Sequence, residues 1–149
     1  MNKFGTRSAA NLATAHEDLQ KVMNLALSRS RIDFGISEGH RSVERQNQLF
    51  QEGKSKIDGV NKKGKHNFNP SLAVDIYAYH PDPATRRKII WDLGTLCYIA
   101  GIVVSTGQDL HERGEISHVI RWGGNWDRDG VILHDQSFDD LPHFELRTP

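Results

Sequence analysis

The chain has 149 residues, 37% hydrophobic and 26% charged, with 13 Gly and only 5 Pro, the balance of a folded globular protein rather than a disordered segment. Nineteen Lys and Arg offset nineteen Asp and Glu, so no global field holds a polyanion, which argues against nucleic acid and anionic membrane as main partners while leaving room for local patches. Cys97 is the sole cysteine, which rules out an internal disulfide and a thiolate metal cluster and fits a reducing cytoplasm. The N-terminus lacks the apolar core of a signal peptide, and no apolar run approaches the length of a membrane span. The expectation is therefore a monomer of one domain over residues 1–149, made in the cytoplasm without stable membrane insertion, which another agent must release if it acts outside.

In chain order, Leu12, Ala15, Leu19, Val22, Met23 and Ala26 recur at helical spacing, which predicts one amphipathic helix over residues 8 to 29. Ile32, Phe34 and Ile36 alternate as in a strand. Ser42 is placed to cap a short helix over SVERQNQLFQE, which Gly53 ends, and the Lys-rich GKSKIDGVNKKGKH reads first as a solvated loop. Within LAVDIY, Leu72, Val74 and Ile76 fall on one strand face and Ala73, Asp75 and Tyr77 on the other. After HPDP, Asp82 can cap a helix with Pro83 at its first position. The stripe Leu93, Leu96, Cys97, Ala100, Val103, Val104, Gly107 and Leu110 extends helix to about residue 113, with Gly101 the expected place for a break, and outweighs the strand propensity of AGIVVS. A strand over HVIRW, a Gly- and Asp-rich loop GGNWDRDG and a final strand HFEL complete the chain. Mixed elements in this order permit an α+β domain with helices packed on a small antiparallel sheet.

Chemistry concentrates at a few positions. Asp75 interrupts an apolar strand, and a carboxylate taken out of water needs a partner, which a cation can supply. Of the eight histidines, His16, His40, His80, His111, His118 and His134 stand at no recognisable ligand spacing and read as surface or capping residues. His143 differs, because strand alternation puts it on one face with Glu145. Two His-bearing segments and Asp75 supply two nitrogens and one oxygen, the ligand count of a catalytic zinc site whose fourth position is left open. Asp127 and Asp129 in DRDG suggest the start of a regulatory Ca2+ loop, but Val131 occupies the next ligand position, so an EF-hand pattern fails.

These residues carry a resemblance. Gly64-Lys65-His66, Ser71-x-Ala73-x-Asp75 and Asp140-x-x-His143-x-Glu145 resemble the SxHxxGxAxD and (E/D)xxHxE signatures of the VanY-like zinc peptidases, which include D-Ala-D-Ala carboxypeptidases and the L-alanyl-D-glutamate endopeptidases of phage endolysins. Gly39-His40-Arg41-Ser42 with Gln46, and Arg121-Trp122-Gly123-Gly124-Asn125-Trp126, resemble further segments of that family. The His66-to-Asp75 interval holds eight residues where the signature has six, and Gly64 stands in place of its Ser.

The resemblance implies a hedgehog/D-Ala-D-Ala-peptidase-like α+β fold and one Zn2+ held by His66, Asp75 and His143. It implies Asp140 as general base, with Asp139 as the neighbouring rival, Arg41 on the scissile carbonyl, Gln46 as a weaker occupant of the same pocket, and Glu145 orienting a liganding His. The implied activity is lysis of the host cell wall by hydrolysis of the L-Ala-D-Glu bond of the peptidoglycan stem peptide, with the Lys-rich loop available to anionic wall peptides. D-Ala-D-Ala carboxypeptidase and a non-catalytic wall-binding module are the alternatives.

Overall fold

Two helices, α1 (Thr6–Leu12) and α2 (Glu17–Arg29), replace the single helix expected over residues 8 to 29. In the computed structural model, which describes residues 2–149, the intervening backbone is taken by a distant partner. His16 N–H donates to Ser71 O (2.9 Å) and Ser71 N–H to Thr14 O (2.9 Å), forming a parallel bridge between Ala15 and Ser71. The His16 ring then caps α2, its Nδ1 accepting the Asp18 N–H at 3.0 Å.

Four strands, β1 (Asp33–Glu38), β2 (Ala73–Tyr79), β3 (Val119–Gly123) and β4 (Asp140–Arg147), form one antiparallel sheet in the order β1-β2-β4-β3. Alternation sends Phe34, Ile36, Val74, Ile76, Ala78, Ile120, Trp122, Phe144 and Leu146 into the core. The stripes of α2 (Leu19, Val22, Met23, Ala26) and α5 (Leu93–Glu112; Leu96, Ile99, Ala100, Val103) cover that face. Each large side chain so buried contributes about 1.5–3 kcal/mol. The α+β expectation holds.

Helix α3 (Val43–Gln51) starts at Ser42, whose Oγ accepts the Arg45 N–H at 3.0 Å, and ends before Gly53 at φ +74°. Pro83 opens α4 (Pro83–Ile89) behind its Asp82 cap, as expected. The break after it falls at Asp92 and not at Gly101. Asp92 Oδ2 accepts Thr95 N–H (2.9 Å) and Oγ (2.8 Å) and starts α5 at 78° to α4, while Gly101 sits on the exposed face of a continuous helix and costs only about 1 kcal/mol. No single helix among the described residues is long and apolar enough to cross a membrane.

Candidate metal centre

The sheet face away from the helices is polar, and strand register assembles it. Asp75 on β2 lies directly opposite His143 on β4, at the cross-strand distance where side chains meet. A β-bulge between Ile36 and Glu38 sets Glu38 opposite Asp75, re-aiming it from the alternation of β1 to this face. His66 enters from a 3-10 turn, Lys65–Asn67. Its carbonyl accepts the Arg41 N–H at 2.8 Å, and Asn67 Nδ2 donates to Arg41 O at 3.0 Å. The longer loop between His66 and Asp75 therefore still returns to the same point.

His66 Nε2 and His143 Nδ1 each lie 3.3 Å from Asp75 Oδ1. Ligands at about 2.0–2.1 Å from a tetrahedral zinc stand about 3.3–3.4 Å from one another, so these three atoms have the spacing of a ligand set. His66 Nε2 and Asp75 Oδ1 are also buried without a hydrogen-bond partner, which costs about 1–3 kcal/mol per group unless a cation takes up the lone pairs. The remote ring nitrogens are committed: His66 Nδ1 donates to Gly39 O at 2.7 Å and His143 Nε2 to Glu145 Oε1 at 2.9 Å. Those bonds fix the tautomers and aim both free lone pairs at one point. The group fits a divalent metal of the N/O-binding class.

Electrostatics agree with that reading. Burial works to raise the Asp75 carboxyl, but the facing His143 and His66 rings hold it well below the usual carboxylate range. Burial opposes a charge on His143, yet Asp75 and Glu145 on either side push it up to about 9. Burial raises Asp140, and the nearby Asp75 charge adds to this while His143, His66 and Arg41 offset part of it. Its Oδ2 stands 4.0 Å from His143 Nδ1.

Asp140 is the first residue of β4, paired with Gly123, so the strand begins three residues ahead of the expected HFEL segment. The pairing register slips between Gly123 and Trp122, which frees Leu141, Pro142 and His143 from the β3 ladder, so Pro142 needs no partner for its missing N–H. A Cβ on Gly123 would overlap the Asp140 carbonyl. Asp139 instead accepts Gln136 Nε2 (2.7 Å) in its own exposed loop.

Arg41 is held rigidly at the edge of the group. Its Nε and Nη2 donate to both Glu38 oxygens (2.8 and 2.6 Å) and Nη1 to Gln46 Oε1 (2.9 Å), with Nη2 3.6 Å from Asp75 Oδ2. Gln46 is buried, and its amide nitrogen donates to Ser55 Oγ (2.8 Å) and Ile57 O (2.7 Å), pinning the Lys-rich loop. On the other flank Arg121 Nη2 donates to Glu145 Oε2 at 2.9 Å and the guanidinium lies over Trp126, 5.2 Å from its ring centre. Glu38 and Arg121 have no expected role in the sequence reading. Glu38 is hidden by its bulge; Arg121 was legible only as the residue facing Glu145 once β3 and β4 were paired.

A second His/Asp/His group brings His16 and Asp18 together with His118, 100 residues beyond Asp18, a separation that gives no ligand spacing in the sequence. Asp18 Oδ2 accepts His118 Nδ1 (2.7 Å), Ser117 N–H (3.1 Å), Ser117 Oγ (3.3 Å) and His118 N–H (3.3 Å), and His16 Nδ1 is spent on its cap. Those atoms already have partners, and the group clamps α2 to the start of β3. Asp127, Asp129 and Asp135 form an exposed acidic cluster in which Asp127 and Asp129 accept amides of their own loop.

Residues 1–147 match the family described as phage L-alanyl-D-glutamate peptidase. The chain is 31% identical over 135 residues to the L-alanyl-D-glutamate peptidase of Escherichia phage T5, covering 90% of this chain and 88% of the relative. It is 29% identical over 130 residues to the Bacillus subtilis peptidoglycan L-alanyl-D-glutamate endopeptidase CwlK, covering 84% and 67%. The crystal structure of the Serratia marcescens L-Ala D-Glu endopeptidase ChiX superposes with a TM-score of 0.72 at 27% identity, covering 97% of this chain and 90% of that one.

Proposed function

The chain belongs to the phage L-alanyl-D-glutamate peptidase family, and we propose that as one catalytic domain, acting as a monomer, it hydrolyses the L-Ala-D-Glu bond of the peptidoglycan stem peptide with a zinc ion held by His66, Asp75 and His143. The single observation that carries the zinc reading is the pair of buried orphan atoms, His66 Nε2 and Asp75 Oδ1, at ligand spacing from each other. When bound, the zinc supplies a Lewis acid for the scissile carbonyl and for the attacking water. The chain's own residues do the rest.

Asp140 takes the proton of the attacking water and passes it to the amine of D-Glu as the bond breaks. Its raised affinity for a proton suits a group that must hold one between those two steps. Arg41 donates to the carbonyl oxygen as negative charge develops there, and the Glu38 fork with Gln46 keeps its guanidinium from reorganising. Glu145 keeps the His143 ring in the tautomer that presents Nδ1. The site is the cell wall, reached after synthesis in the host cytoplasm and release by another agent.

Asp140→Ala should keep zinc and the fold yet lose activity by a factor on the order of 100 to 10,000, while Asp139→Ala should cost far less. Turbidity loss of outer-membrane-permeabilised Gram-negative cells, with zinc content as control, measures both. Lysis by Asp140→Ala at the parent rate would remove it as the base.

A further inference from the structure

Beside His143, two aromatic side chains from the segment joining β3 to β4 wall the polar face. The Trp126 ring packs 5.6 Å from the His143 ring, and Phe138 lies parallel to Trp126 within 9°, their centres 6.5 Å apart. The pair is fixed by its backbone. Trp126 Nε1 donates to Phe138 O (2.8 Å), Gln136 Nε2 to the same carbonyl (3.1 Å), and Trp126 N–H to Gln136 Oε1 (3.0 Å). Phe138 nevertheless remains 51% exposed, with Lys56 Nζ 5.4 Å from its ring centre. Phe138, two residues before Asp140 in the chain, thus keeps half of its ring in water at the edge of the polar face, joined to His143 through Trp126.

The chemistry of the substrate says what covers it. In peptidoglycan the L-Ala whose carbonyl is attacked is joined through its amine to the lactyl group of an N-acetylmuramic acid residue. One residue spans at most about 3.6 Å, so a pyranose ring stands roughly 10 Å or less from the attacked carbon. A pyranose presents a C–H face to an aromatic ring and hydroxyl and acetamido oxygens to a donor. Phe138 offers the first and the Lys56 ammonium, 5.4 Å from the centre of that ring, the second.

We propose that Phe138 and Lys56, backed by Trp126, form a subsite for the N-acetylmuramic acid residue that bears the stem, an inference that rests on the cleavage reading above. Stems still attached to glycan then bind better than free stems.

The test compares kcat/KM on N-acetylmuramyl-L-Ala-D-isoglutamyl-diaminopimelate and on the same tripeptide with an acetyl group in place of the sugar. The parent should prefer the muramyl compound by about tenfold, a difference of 1.4 kcal/mol, expressed mainly in KM. Phe138→Ala should bring that ratio close to one, Lys56→Ala should lower it, and Phe138→Trp, which restores an aromatic face, should keep it. A parent ratio near one, or a ratio unchanged in Phe138→Ala, would overturn the subsite while leaving the cleavage reading standing. A parent that cuts neither compound would overturn both.

Discussion

Glu145→Gln isolates the charge behind His143, the proposed zinc ligand. The carboxylate accepts one donor on each oxygen, His143 Nε2 at 2.9 Å and Arg121 Nη2 at 2.9 Å. An amide of the same shape has one acceptor oxygen, so one of these donors must face an NH2 group. A hydrogen bond to a charged group is worth about 1.5–3 kcal/mol and a neutral one about 0.5–1.5 kcal/mol. The loss at His143 is thus about 1–2 kcal/mol, which at 1.4 kcal/mol per tenfold weakens zinc binding by about 5- to 30-fold. Competition against a chromophoric chelator at fixed pH measures this. The melting temperature of chelator-treated protein serves as the control that the metal-free fold is intact. Zinc affinity equal to the parent's in a folded Glu145→Gln protein would refute the claim that Glu145 orients and polarises a ligand.

Three further outcomes follow from the same geometry. Gly123→Ala places a methyl group against the Asp140 carbonyl and should lower kcat by about tenfold or more with zinc content retained; full activity would show that the position of Asp140 is not critical. Asp75 and Glu145 push His143 up to about 9 against the opposing effect of burial, so zinc bound through this ring, as proposed, would displace a proton below that pH. Apparent zinc affinity should therefore rise with pH from neutrality and level off above about 9, and a flat profile in isothermal titration would contradict His143 as a ligand. Asp18→Ala leaves the Ser117 and His118 donors unsatisfied and should cost about 1–3 kcal/mol in urea unfolding at neutral pH. Burial works to raise Asp18, but hydrogen bonds from His118 and Ser117 outweigh it and hold the carboxyl below its usual range. A depressed carboxyl contributes stability above its unfolded pKa and loses it as pH falls through the folded one, so the difference between parent and variant should shrink below about pH 4.

What could be seen in the sequence was what depends on strand alternation and local capping. The pairing of His143 with Glu145 and the opposite facing of Asp75 from Val74 and Ile76 follow from a period of two, and both strand faces hold in the fold. Ser42, Asp82 and Gly53 are punctuation that acts within a few residues. What was hidden depends on long-range pairing. Helical spacing runs smoothly from Leu12 to Ala26, and only the bridge of Ala15 to Ser71 interrupts it. Glu38 faces the site because a bulge adds a residue that periodicity does not register. Asp18 and His118 are 100 residues apart and meet only through the tertiary fold. The first residue of β4 lay outside any alternating pattern because Pro142 and the slipped register with Gly123 intervene.

Mass spectrometry of peptidoglycan digested by the parent protein and by His143→Ala tests the central claim most directly. The parent should release peptides that begin at D-Glu and leave L-Ala on the glycan, and His143→Ala should release none with its zinc lost. Free D-Ala from otherwise intact stems, or the same L-Ala-D-Glu products from a zinc-free His143→Ala protein, would contradict it.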